Sequence, residues 1–109
     1  MKRIDLCSIN DLEVAIESSY KDPVVLFKHS TRCSISKMAL YRVEGYISER
    51  LREYYYLDLL SFREVSDLIS QKFNLEHQSP QILLIKNGKL LYHESHNAIN
   101  PKQWADLLD

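Results

Sequence analysis

Cys33 stands in "KHSTRCSIS", Lys28 to Ser36, between an apolar run, "PVVLF", and a long segment of helical spacing. A thiol at such a seam can be inert packing, a metal ligand or a nucleophile. If the apolar run is a strand and the following segment a helix, Cys33 lies at the helix N-terminus. Unpaired amide N–H groups and the positive end of the helix dipole favour an anion there, which stabilises a thiolate relative to the thiol. Arg32 beside it and Lys37 one turn on add positive charge. On that placement Cys33 is a nucleophile; without it, Cys33 is a small buried hydrophobe, as free cysteines commonly are. Thr31, Arg32, Ser34, Ser36 and His29 are the candidates for stabilising the thiolate or shaping its turn.

Three residues after Cys33, where a dithiol oxidoreductase carries its resolving cysteine, the chain has Ser36. A serine can hydrogen-bond a thiolate but cannot form a disulfide with it. The expected chemistry is therefore a mixed disulfide between Cys33 and an external thiol, released by a second thiol. Cys7, the other cysteine, is the alternative resolving group, but its place before the first helix gives no reason to put it near Cys33, and it is read as a structural thiol. A zinc site from Cys33, His29 and one further histidine among His77, His93 and His96 is conceivable in ligand type, but no spacing fixes a tetrahedral set, and no metal is expected. The other notable feature is Ser79-Pro80, just before an apolar strand. Proline at a strand start is ordinary, whereas a cis proline facing the cysteine would leave backbone free to pair with an extended substrate.

The elements that must position these residues are legible from patterning. "NDLEVAIESSY" reads as a short amphipathic helix, with Asn10 as N-cap and Leu12, Ile16 and Tyr20 on one face. Val24 to Phe27 form a continuous apolar, β-branched run, as expected of a strand covered on both faces. Ile35, Met38, Ala39, Val43, Tyr46, Ile47, Leu51 and Tyr54 keep a 3.6-residue period, predicting a helix from about Cys33 to the low fifties, with Gly45 as its weak point. "YYYLDLL" follows as a strand, packing Tyr54 to Tyr56. "SFRE", Ser61 to Glu64, has the form of a capping box before a helix carrying Val65, Leu68, Ile69 and Phe73. Asn87-Gly88 between two apolar strands predicts a two-residue type I′ hairpin. Asn100 and Pro101 open a closing helix with Trp104, Leu107 and Leu108. Lys2 to Leu6 are read as an added edge strand. The order implies an α/β protein of thioredoxin-like fold, three layers α/β/α, with a mixed central sheet and a C-terminal hairpin plus helix.

The 109 residues have the length of one domain and no internal repeat. A net charge of -1 gives no electrostatic footprint for nucleic acid or an anionic membrane. With no apolar run approaching a membrane span and only two cysteines, the expectation is a cytoplasmic protein with reduced thiols.

"FKHSTRCSIS", "SPQILLIKNG" and "YHESHNAI" resemble the YtxJ-type monothiol bacilliredoxins, thioredoxin-fold proteins of bacteria that make the low-molecular-weight thiol bacillithiol. The resemblance runs from Val24 to the end. It implies that Cys33 removes bacillithiol from S-bacillithiolated proteins, with bacillithiol as co-substrate, no bound cofactor, and Ser79 and Pro80 as the opposing substrate wall. Thiolated proteins would be the partners of a monomer or weak homodimer. The family pattern around the nucleophile reads T-C-P-I-S, and Ser34 stands where its proline would be. Two other readings compete. A monothiol glutaredoxin-like protein would use glutathione, although "CSIS" lacks a glycine at the turn and no Gly-Gly pair precedes the last helix. A non-enzymatic thioredoxin-like binding module would hold a partner strand beside Pro80 and leave Cys33 an ordinary thiol.

Overall fold

The computed structural model describes residues 2–50 and 53–108, and at 47–50 the backbone alone. Its elements are β1 (Lys2–Asp5), α1 (Ile9–Ser18), β2 (Val24–His29), α2 (Ser34–Arg50), β3 (Glu53–Asp58), α3 (Arg63–Lys72), β4 (Gln81–Lys86) and β5 (Lys89–Ser95), followed by three short 3₁₀ turns, His96–Ala98, Pro101–Gln103 and Ala105–Leu108. The strands form one mixed sheet in the order β1-β3-β2-β4-β5. β3 lies parallel to β1 and β2, and β4 runs antiparallel to β2 and β5.

Both faces of the central strands are covered, which is why β2 reads as an unbroken buried run. Val24 and Leu26 point with Tyr55, Leu57, Leu83 and Ile85 into a core closed by Leu12 and Ile16 of α1 and Val65 and Ile69 of α3. Val25 and Phe27 point the other way, with Tyr54, Tyr56, Ile82 and Leu84, against Ala39 and Val43 of α2 and Ile99 and Trp104 of the C-terminal turns. The three-layer α/β architecture with its mixed sheet is as expected. At the predicted hairpin, Asn87 and Gly88 both have positive φ, 53° and 73°, the signature of a type I′ turn.

Several local expectations are corrected. Ser8, not Asn10, caps α1: its side chain accepts from Asp11 N, and Asp11 Oδ2 accepts from Cys7 N at 2.9 Å, so the two side chains cap reciprocally. α1 ends at Ser18, which leaves Tyr20 largely exposed beyond it. The "SFRE" capping box does not form. Ser61 Oγ donates to Asp58 Oδ2, and α3 starts at Arg63 without a side-chain cap. On α2 the buried line is Ser36, Ala39 and Val43, while Ile35 and Met38 are exposed. Ser36 takes the inward position that the apolar pattern assigned to Ile35. Ile47 and Leu51 lie outside the described side chains, and Tyr54, placed on the same period, belongs to β3 instead. The closing helix is instead two 3₁₀ turns, Pro101–Gln103 and Ala105–Leu108. Asn100 Oδ1 does cap one of them, accepting from Lys102 N at 3.2 Å, and Trp104 is fully buried.

Candidate active site

β2 delivers the site. Its last residue, His29, is followed by a tight turn in which Cys33 N donates to Ser30 O at 3.2 Å; Lys37 N then donates to Cys33 O at 3.1 Å and opens α2. Cys33 thus occupies the N-cap position, at the end of the helix where the first amides have no intrahelical partner. Its thiol is free and half-buried, with Thr31, Arg32 and Ser34 exposed around it. Ser34 retains the N–H that a proline would remove.

Ser36 is completely buried, and its hydroxyl is committed to the strand side of the turn. Oγ accepts from Ser30 N at 3.1 Å and lies 2.7 Å from His29 Nδ1. The serine therefore braces the strand-to-helix seam through His29. His29 itself is buried between the rings of Phe27 and Tyr56, at centroid distances of 6.0 and 5.5 Å. Burial lowers its pKa below the usual imidazole value, with Asp58 opposing and Lys37 reinforcing the shift.

The other sequence feature, Ser79-Pro80, directly precedes β4. The Ser79-Pro80 peptide bond is cis. Lys28 of β2 pairs directly with Gln81, the residue after Pro80, so the cysteine turn and the proline loop leave the same edge of the sheet from adjacent strands. That edge is the carboxyl end of the parallel strands, where open sheets of this kind place ligands. Pro80 O accepts from His96 N at 2.9 Å, and His96 adopts the left-handed conformation, φ 58°. Ser79 Oγ is buried without a hydrogen-bond partner among the described residues.

Of the remaining candidates, Cys7 is exposed at the end of β1, next to α1, and His93 lies in the edge strand β5. Among the described residues no three His, Cys, Asp or Glu side chains converge as a metal site, and no helix is long and apolar enough to cross a membrane. Sequence reasoning did not single out Lys28. It is fully buried at the end of β2 and its Nζ lies 2.9 Å from His77 Nδ1. The available signal was a lysine continuing an otherwise apolar, doubly covered strand.

A mixed five-stranded sheet between helices, a cysteine at a helix N-terminus and a cis proline just before the neighbouring strand define a thioredoxin-fold thiol–disulfide oxidoreductase. Comparison with known proteins agrees. The family profile of the monothiol bacilliredoxin BrxC matches residues 4–104, and the chain belongs to that family. A solved structure provisionally named as an oxidoreductase with a thioredoxin fold is 34% identical, with a TM-score of 0.90, over 98% of this chain and 94% of that one. Thioredoxin from Fasciola hepatica matches with a TM-score of 0.77 at 20% identity, over 96% of this chain and 95% of its own. Mitochondrial thioredoxin 3 from Saccharomyces cerevisiae, in its oxidised form, matches at 0.75 and 16%, over 96% and 92%. The last two likenesses concern the fold alone.

Proposed function

We propose that the protein removes bacillithiol from S-bacillithiolated proteins through a mixed disulfide on Cys33. The Cys33 thiolate attacks the bacillithiol sulfur of the protein–bacillithiol disulfide. That bond breaks, the substrate protein leaves as a thiolate that takes up a proton, and Cys33 holds bacillithiol in disulfide linkage. A free bacillithiol thiolate then attacks the bacillithiol sulfur of this adduct, releasing bacillithiol disulfide and returning Cys33. The number of disulfides is unchanged at each step, so no bound redox cofactor is needed.

The observation that carries this reading is the commitment of Ser36. The position where a resolving thiol would sit holds a hydroxyl engaged with His29 and Ser30, which supports assigning release of the adduct to an outside thiol. The positive end of α2 favours the attacking thiolate, and the backbone beside cis-Pro80 is the surface we assign to an extended segment of the thiolated protein. Thr31, Arg32 and Ser34 rim the thiol and are assigned to contact with the incoming disulfide. We place this reaction in the cytoplasm, carried out by a monomer or weak homodimer. The alternative co-substrate is glutathione.

The test is the rate at which free protein thiol appears from one model protein carrying either bacillithiol or glutathione, with the matching free thiol as reductant. The proposal expects at least a tenfold preference for the bacillithiolated form. An equal or reversed preference would assign the protein to glutathione or to neither.

A further inference from the structure

Lys28 is a cation with no ion-pair partner within 4.0 Å among the described residues, although it is fully buried. Isolated buried charges are costly, and a lysine without a task at such a position would be replaced by an aliphatic residue at no loss to the core. Its place in the fold suggests the task. Lys28 pairs through the backbone with Gln81, and its side chain reaches His77, three residues before Pro80. An ammonium carries only donors, so His77 Nδ1 must be the acceptor and the ring must be neutral, with its proton on Nε2. Ser66 Oγ of α3 lies 3.3 Å from the same Nδ1. Gln81 Nε2 donates to Glu76 O at 3.2 Å, closing the segment on itself. The loop that ends in the cis proline is therefore held at its start by Lys28 and at its end by the β2–β4 ladder.

We propose that Lys28 and His77 form a latch that positions the Ser79–Pro80 wall for the incoming thiolated protein, both acting as positioning residues for exchange at Cys33. This rests on the reading of Pro80 as the wall opposite Cys33. Burial supports the protonation states the latch requires: it lowers His77, with Lys28 and Arg63 adding to the shift and Asp67 opposing it, and it lowers Lys28 to about 8, with Asp67 opposing. At neutral pH the pair meets as ammonium and neutral imidazole, the combination in which the contact is a charge-assisted hydrogen bond.

The experiment compares Lys28→Met, His77→Ala, the double variant and His77→Asn, whose side-chain oxygen can accept where Nδ1 does. Two readouts are taken on each: steady-state kinetics with a bacillithiolated protein, and amide hydrogen exchange at Gln78 and Ser79. The latch predicts KM about tenfold higher in each of the first two variants with kcat within twofold, at least tenfold faster exchange at both amides, a double variant no worse than the worse single, and recovery in His77→Asn. Additive effects of Lys28→Met and His77→Ala, or wild-type exchange at Gln78 and Ser79 in both, would overturn it. If the wild-type protein does not turn over the bacillithiolated substrate at all, the proposed function fails, and the exchange measurement still decides whether the latch exists.

Discussion

The catalytic reading turns on two residues three positions apart. Ser36 would be unremarkable on an exposed helix, but here its buried hydroxyl satisfies the part-buried Ser30 N–H and meets His29 Nδ1. Ser36→Ala should therefore lower stability by about 1–3 kcal/mol, the usual cost of orphaning buried polar groups, read as a shift in the denaturant midpoint at unchanged slope. His29 adds a pH signature. Its folded pKa lies below the unfolded value of about 6.5, so the unfolded chain takes up a proton before the folded one does, and stability falls as pH drops below ~6.5. His77 is lowered too and contributes in the same direction. Urea unfolding at several pH values from 7 to 5 should show this decline, and His29→Phe should flatten it while lowering stability at pH 7. A wild-type profile that is level over the same range would contradict a neutral buried His29. Cys33 and its missing partner were legible in the sequence because they depend only on spacing. The commitment of Ser36 was not, since it depends on His29 turning inward from the end of a strand.

At the scale of elements, strand and helix identities followed from periodicity, and the errors fell where a side chain found an unexpected partner. Asp58 takes Ser61 and delays α3; Ser8 outcompetes Asn10 because Asp11 can reach back to Cys7 N. The two glycines separate propensity from conformation. Gly45 sits exposed inside α2, and a Cβ there would meet nothing within 4 Å, so Gly45→Ala should stabilise by about 0.5–1 kcal/mol. Gly88 has φ +73° and packs against the Tyr20 ring, so Gly88→Ala should destabilise by about 1–3 kcal/mol. Paired thermal melts would test both, and melts that shift in the same direction would contradict the assignment. The hairpin was predictable because Asn-Gly specifies its own backbone. The C-terminal turns were not, because Trp104, Leu107 and Leu108 fit an amphipathic helix equally well until Arg42 Nε takes Ile99 O and draws the chain across α2.

At the scale of the whole molecule, the sheet brings two chain segments about fifty residues apart to one edge, and Lys28 joins them at a cost to stability. Lys28 has a folded pKa of about 8 against an unfolded value of 10.5, so the penalty for its buried charge is complete below pH 8. It is relieved as pH rises from 8 towards 10.5, where the unfolded chain binds the extra proton. Lys28→Met should accordingly make the protein more stable at pH 7, by about 1–3 kcal/mol, even as it weakens substrate capture. Loss of stability in that variant would show that the ammonium is held better than its surroundings suggest. The α/β class, the two-sided burial and the cysteine's place at the sheet edge could all be read from unbroken apolar runs, helical periodicity and element order. The Lys28–His77 contact could not, because it joins residues that only the β2–β4 register brings together.

In the proposed reaction Cys33 alone accepts bacillithiol from a thiolated protein. The most direct measurement is intact-mass analysis of the protein after brief mixing with a bacillithiolated model protein, without free bacillithiol. The account predicts a single bacillithiol adduct that maps to Cys33 and is absent from Cys33→Ser, together with the reduced model protein. No adduct, or equal transfer by Cys33→Ser, would contradict it.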